Sequence, residues 1–114
     1  MTMQNDVIHL IMSWIDDNID KPLKIEDVAK RAGYSRWHLQ RLFQQVTHQT
    51  LADYIRNKKL ERAAHELKDT DRSILEISFR YGFDSQQSFT RTFSRKFSMP
   101  PGSWRKRNQS LRQA

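Results

Sequence analysis

The strongest constraint on this chain is a passage that occurs twice. Gly33-Tyr34-Ser35-Arg36-Trp37-His38-Leu39-Gln40-Arg41-Leu42-Phe43 returns, altered, as Gly82-Phe83-Asp84-Ser85-Gln86-Gln87-Ser88-Phe89-Thr90-Arg91-Thr92-Phe93. Up to the glycine the copies lie 49 positions apart, pairing Ile25 with Ile74, Val28 with Ile77 and Gly33 with Gly82. Beyond the turn the offset is 50, because the second turn is one residue longer. Ser35 then pairs with Ser85, Leu39 with Phe89, Arg41 with Arg91 and Phe43 with Phe93. In each copy a short apolar-periodic segment meets a glycine, turns, and starts a new helix at a serine. That is the pattern of a helix-turn-helix, and two in one small chain suggest a reader of two DNA segments.

The rest of the chain frames these two units. A first helix is expected from about Asp6, capped by Asn5, to about Asn18, with Val7, Ile8, Leu10, Ile11, Trp14 and Ile15 recurring at three- and four-residue steps. Pro22 blocks its continuation. A second helix spans about 25–32, opened by Glu26 and Asp27 at its positive end and closed by Gly33 in a left-handed conformation. Lys24 is a poor N-cap for it. The third helix starts at Ser35. A long helix over about 51–68 follows, with Thr50 and Asp53 resembling a capping box and an apolar side of Leu51, Tyr54, Ile55, Leu60, Ala63, Ala64 and Leu67. Ser73-Ile74-Leu75-Glu76 is a second capping box, opening a helix over about 74–81. The sixth helix covers about 86–97 behind Ser85, and a short last one, begun at Pro101, carries Trp104. Tyr54 and Trp104 are equivalent under the repeat, so each unit closes on an aromatic. The expected fold is all-α: two three-helix modules, each with a helix-turn-helix, joined by a long central linker helix, about seven helices in all.

Charge points to the partner. The chain carries a formal +7, which favours a polyanion. Residues 1–20 hold Asp6, Asp16, Asp17 and Asp20 and no Lys or Arg, a local −4, so the remainder carries +11. An acidic first helix on a basic body is expected to face away from the polyanion. With no cysteine, disulfides, thiol catalysis and Cys-ligated zinc are excluded. His9, His38, His48 and His65 show no ligand spacing, and neither a nucleophile elbow nor a phosphate-cradling glycine loop is present, so no metal, cofactor or catalytic site is expected. No apolar run approaches the ~18 residues of a membrane span, and no secretory leader is seen. The expectation is a soluble cytoplasmic protein.

The two helices after the turns carry the informative faces. On the third helix, Leu39, Leu42, Phe43 and Val46 share one side by the 100° rule, leaving Arg36, Trp37, Gln40, Arg41 and Gln44 on the other. Arginine can donate two hydrogen bonds to guanine, glutamine can pair with adenine, and an outward tryptophan offers a flat apolar surface to sugars or thymine methyls. The sixth helix repeats the arrangement, with Phe89, Phe93 and Phe97 inward and Gln87, Thr90, Arg91 and Ser94 outward, Gln86 lying at its start. A polar face with Arg and Gln is usually just solvated. Trp37, outside the apolar stripe, and the matched Arg41 and Arg91 weigh against that reading. Lys58, Lys59 and Arg62, with Arg105, Lys106 and Arg107, fit either phosphate contacts or solvated charge. A non-specific architectural nucleic-acid binder and a protein-binding adaptor stay open as alternatives; an enzyme is far less in keeping with these residues.

The two quoted runs, with Asp53-Tyr54-Ile55-Arg56 and Pro100-Pro101-Gly102-Ser103-Trp104, resemble the AraC/XylS family of bacterial transcription regulators. The likeness is to its stand-alone members, typified by MarA, SoxS, Rob and RamA, and spans about residues 8–106. Departures are slight: Arg36 stands where relatives often have Lys, and Ser88 and Trp104 replace commoner Thr and Tyr. The resemblance implies a DNA-binding domain with helix-turn-helices at about 25–46 and 73–96, a linker helix at about 51–68, and a frayed basic tail over 107–114. It implies a monomer entering two successive major grooves, about 34 Å apart, which a linker of roughly 27 Å can serve. Trp37, Gln40 and Arg41 would read bases in the first groove, and Gln86, Gln87, Thr90 and Arg91 in the second. Ser35, Arg36, His38, Gln44, Ser85, Arg95 and Arg105 would hold the DNA backbone. The implied partners are promoter DNA and RNA polymerase, through the C-terminal domain of its α-subunit or through its sigma factor. The implied activity is activation of stress and multidrug-resistance genes on the bacterial nucleoid, without a small-molecule effector.

Overall fold

The structure, a computed structural model of the chain, describes the backbone of residues 3–113 and the side chains of residues 5–109. The described residues form seven helices and no strand: α1 (Met3–Asp17), α2 (Ile25–Ala32), α3 (Arg36–Thr47), α4 (Leu51–Asp69), α5 (Ile74–Arg80), α6 (Gln86–Phe97) and α7 (Pro101–Gln113). The chain divides within α4, between Lys58 and Lys59, into two compact units. The all-α expectation holds. No helix among the described residues is long and apolar enough to cross a membrane.

The local signals act as their chemistry dictates. Ser35, Ser73 and Ser85 each accept a hydrogen bond from the backbone N–H three residues on, at 3.1, 3.0 and 3.0 Å. Thr50 does the same for Asp53, at 3.1 Å. Each such cap satisfies an orphan donor and is worth about 1 kcal/mol. Lys24 forms no side-chain cap for α2. Gly33 and Gly82 sit at φ +78° and +82°, ending α2 and the α5 segment with the same pair of backbone bonds: Gly33 to Lys30 with Tyr34 to Ala29, and Gly82 to Phe79 with Phe83 to Ser78. That repeated closure turns the chain into the next helix.

In the first unit, α1 packs on α2 and α3 through Ile8, Ile11 and Ile15, with Ile19 beyond the helix end. These meet Val28, Ala29, Leu39, Leu42 and Phe43 in one core, which Leu51, Tyr54 and Ile55 of α4 complete. The Tyr54 ring stands edge-on to Phe43 at 5.4 Å, and its hydroxyl donates to Asp16 at 2.9 Å. The second unit is built alike around Leu60, Ala63, Ala64, Leu67, Ile77, Tyr81, Phe89 and Phe93. There Trp104 stands edge-on to Phe93 at 6.0 Å and donates its indole N–H to the Ala64 carbonyl at 3.3 Å. The pairs Phe43–Tyr54 and Phe93–Trp104 are the repeat expressed as packing.

Helix bounds and side-chain placements refine the expected picture in four places. First, α1 begins at Met3, so Asn5 and Asp6 lie inside its opening turns, and Asp6 suits a first turn. Second, not every apolar residue of α1 is buried: Leu10 is 71% exposed. Ile8, Ile11 and Ile15 fall on one side of the helix, and Leu10 stands roughly 150° round from it. Third, α7 runs on through the tail segment to Gln113. Gln109 explains this, donating from Nε2 to the carbonyls of Leu67 at 3.3 Å and Thr70 at 3.1 Å, at the far end of α4. Fourth, Arg105 serves the same carbonyl cluster. Its Nε donates to Leu67 at 3.0 Å and its Nη2 to Thr70 at 3.4 Å and to Arg72. The guanidinium, expected on a phosphate, here donates to carbonyls around the end of α4.

Candidate nucleic-acid interface

Each unit exposes the outer face of the helix that follows its glycine turn. On α3 the core residues Leu39, Leu42 and Phe43 take one side, so Arg36, Trp37, Arg41 and Gln44 emerge exposed and Gln40 half-buried. Trp37 is 67% exposed, a large apolar surface left to water. The Arg41 guanidinium lies 5.2 Å from its ring centroid, one helical turn on, where the ring quadrupole attracts a cation. The contact restricts where the exposed Arg41 points. His38 is exposed and meets the Tyr34 ring edge at 4.8 Å, so the turn itself orients it. Ser35 is occupied as the α3 cap. Arg36 is engaged by Glu26 of α2 at 2.5 Å.

On α6 the sequence-predicted readers come together. Gln86, Gln87, Thr90 and Arg91 line one shallow surface depression, Thr90 half-buried and the other three exposed. Gln87 takes the place of Trp37 under the repeat, so Arg91 has no tryptophan one turn before it. Ser85 caps α6 and is half-buried; Arg95 is exposed in its last turn. Arg105 is half-buried and donates to the Leu67 and Thr70 carbonyls.

Among the described residues burial shifts two ionisable groups, Lys59 and Tyr81, and both stand at the second turn. Lys59 is half-buried, and desolvation pulls its ammonium below the usual lysine range. Its Nζ lies 3.3 Å from where a Cβ on Gly82 would stand, directly behind that turn. Tyr81, beside the turn, is raised above the usual tyrosine range by burial first and by the Glu66 carboxylate second. Among the described residues no group of His, Asp or Glu could hold a metal ion.

Sequence reasoning missed two features. One is Glu26, read only as an acid suited to a helix start. The other is a groove of about 300 Å³ lined by Leu10, Ile11, Trp14, Val28, Arg31 and Ala32 of α1 and α2. Arg31 lies 5.0 Å over the Trp14 ring there. The helical spacing of Leu10 and Trp14 is the sequence signal for it.

Comparison with known proteins agrees with this layout. A family model described as a helix-turn-helix domain matches residues 28–107. Regulatory protein SoxS of Escherichia coli K12 is 50% identical over 101 residues, covering 89% of this chain and 94% of SoxS. Multiple antibiotic resistance protein MarA of the same strain is 48% identical over 101 residues, covering 89% of this chain and 80% of MarA. Among solved structures, a transcriptional regulator with an AraC-type DNA-binding domain from Chromobacterium violaceum superimposes with a TM-score of 0.84 at 31% identity, covering 90% of this chain and 92% of that one.

Proposed function

This chain belongs to the AraC/XylS family of helix-turn-helix regulators, in the branch that includes MarA and SoxS, and on that premise we propose that it is a sequence-specific transcriptional activator. It binds as a monomer to two successive major-groove segments of a promoter. It recruits RNA polymerase through the C-terminal domain of the polymerase α-subunit or through sigma factor. Its targets are stress and multidrug-resistance genes, as the names of those two relatives suggest, and it works in the bacterial cytoplasm on the nucleoid.

The observation that carries this reading is the recurrence of one exposed arginine in two readers. Arg41 and Arg91 occupy the same place on α3 and α6, each with Gln or Thr one residue before it and each outside a phenylalanine- or leucine-lined core. An arginine on a helix in the major groove donates bidentately to guanine, which gives base discrimination of about 1–3 kcal/mol. The α1–α2 groove supports the second half of the proposal. An exposed Leu10 and a Trp14 held under Arg31, on a helix whose charges are acidic, suit a protein partner better than DNA.

Selection of binding sites from random duplex DNA, repeated with Arg41→Ala and Arg91→Ala, tests the assignment. A two-part asymmetric motif is expected, its halves about one helical turn apart, each variant losing information at one half only. Uniform weakening across all sequences would instead identify a non-specific architectural binder, since phosphate contacts carry no sequence information.

A further inference from the structure

The Glu26 carboxylate meets Arg36 Nη1 at 2.5 Å, although ten residues separate the two in sequence. Glu26 lies in the first turn of α2 and Arg36 is the first residue of α3, so the pair ties together the two helices of the first helix-turn-helix. It is no core anchor. The side chains are 54% and 59% exposed for Arg36 and Glu26, and exposed ion pairs contribute little to folding. The repeat provides an internal comparison: the second unit has Leu75 and Gln86 at the equivalent positions and closes the same turn without an ion pair there. The fold therefore does not require the contact.

What the contact does is fix a guanidinium. Arginine carries five N–H donors in one plane, and Glu26 occupies one of them. We infer that Glu26 is a positioning residue for DNA backbone binding, holding Arg36 so that its remaining donors meet a phosphate beside the Trp37–Arg41 reading face. This rests on the reading of Arg36 as a backbone contact. The rotamer freedom that a long side chain loses on binding is then largely lost in the free protein already. Simple electrostatics predicts the opposite sign of effect. A carboxylate within a Debye length of a polyanion repels it, so its removal should tighten binding. The two accounts are separable.

The test is equilibrium binding across a salt series, using a duplex that the wild-type protein recovers from a random library. Glu26→Ala is expected to weaken binding about 2–5-fold, the range of an exposed ion pair. Glu26→Gln is neutral, but its amide oxygen still accepts from the guanidinium, and it is expected to bind at least as tightly as wild type. Arg36→Ala weakens binding and lowers the salt slope by about 1, and adding Glu26→Ala to it causes no further loss. Tightening by Glu26→Ala to the same degree as Glu26→Gln, while Arg36→Ala still weakens binding, overturns the positioning role alone. An equal loss from Glu26→Ala in the Arg36→Ala background shows that Glu26 acts through the fold, and also overturns it. An Arg36→Ala variant that binds like wild type removes the phosphate reading of Arg36 and the role of Glu26 together.

Discussion

Gly33 and Gly82 close equivalent turns at nearly the same φ, but the space around them differs, and alanine should reveal both facts. A left-handed non-glycine residue costs roughly 1–2 kcal/mol because its Cβ crowds the following carbonyl. Alanine also narrows the unfolded ensemble, returning about 0.4–1 kcal/mol of that cost. Gly33→Ala meets nothing within 4 Å, so its net penalty is the backbone's alone, about 0.5–1 kcal/mol. Gly82→Ala carries the same penalty and brings a Cβ to 3.3 Å of Lys59 Nζ. The ammonium ends a flexible side chain and can give way, so the excess over Gly33→Ala is a few tenths of a kcal/mol at most. Urea unfolding monitored by tryptophan emission measures both, since Trp14 and Trp37 report on the first unit and Trp104 on the second. His48 and Ser98 provide the converse, being non-glycine residues at φ +63° and +62° after α3 and α6. Glycine at either site should raise stability by up to about 1 kcal/mol. If Gly33→Ala and Gly82→Ala are neutral or stabilising while His48→Gly and Ser98→Gly destabilise, the left-handed turns are not what closes these helices.

Two further outcomes concern the second unit. Arg105→Ala leaves the carbonyls of Leu67, Thr70 and Arg72 short of a charged donor and should cost about 1–3 kcal/mol in the unfolding of that unit. It should leave the salt slope of DNA binding unchanged; a slope lower by about 1 would return Arg105 to the phosphate contacts. Lys59→Met should raise the urea midpoint at neutral pH by removing a half-buried ammonium. The folded pKa lies below the unfolded one, so the penalty is complete at pH below the folded value and fades as pH rises toward 10.5; the two proteins should converge over that window. A gap that stays constant through it would remove desolvation as the cause.

Much of the architecture was legible because its signals are local. A serine three residues before a free N–H, or a glycine where φ must be positive, acts within one turn of chain. So the starts of α3, α5 and α6 and the end of α2 could be read directly from the sequence. His48 and Ser98 hold the same left-handed geometry with no glycine to announce it; each N–H closes on a carbonyl four residues back. What escaped was contact between distant segments. Glu26 reaches Arg36 only because two helices cross, and Arg105 reaches Leu67 across 38 residues. Periodicity also has a blind spot on α1. Val7, Leu10 and Trp14 repeat at three and four just as Ile8, Ile11 and Ile15 do, giving two apolar stripes on one helix. The isoleucine stripe is buried, while the other ends in an exposed leucine and the wall of a groove. Spacing alone does not rank them.

The two copies diverge in a way that bears on what the protein reads. Positions that the fold needs have kept their chemistry: Gly33 and Gly82, Ser35 and Ser85, Phe43 and Phe93, Tyr54 and Trp104. On the outward faces Arg41 and Arg91 persist, but Trp37 faces Gln87 under the repeat, Arg36 faces Gln86 and Gln40 faces Thr90. Structural positions are held by packing that both units share, whereas a reading face is free to change with its base pairs. Two readers that share an arginine and little else should prefer two unlike half-sites, each with one guanine contact. A symmetric dimer matches a palindrome and has no preferred direction on DNA. A single chain with unlike readers should therefore bind an asymmetric site in one orientation only.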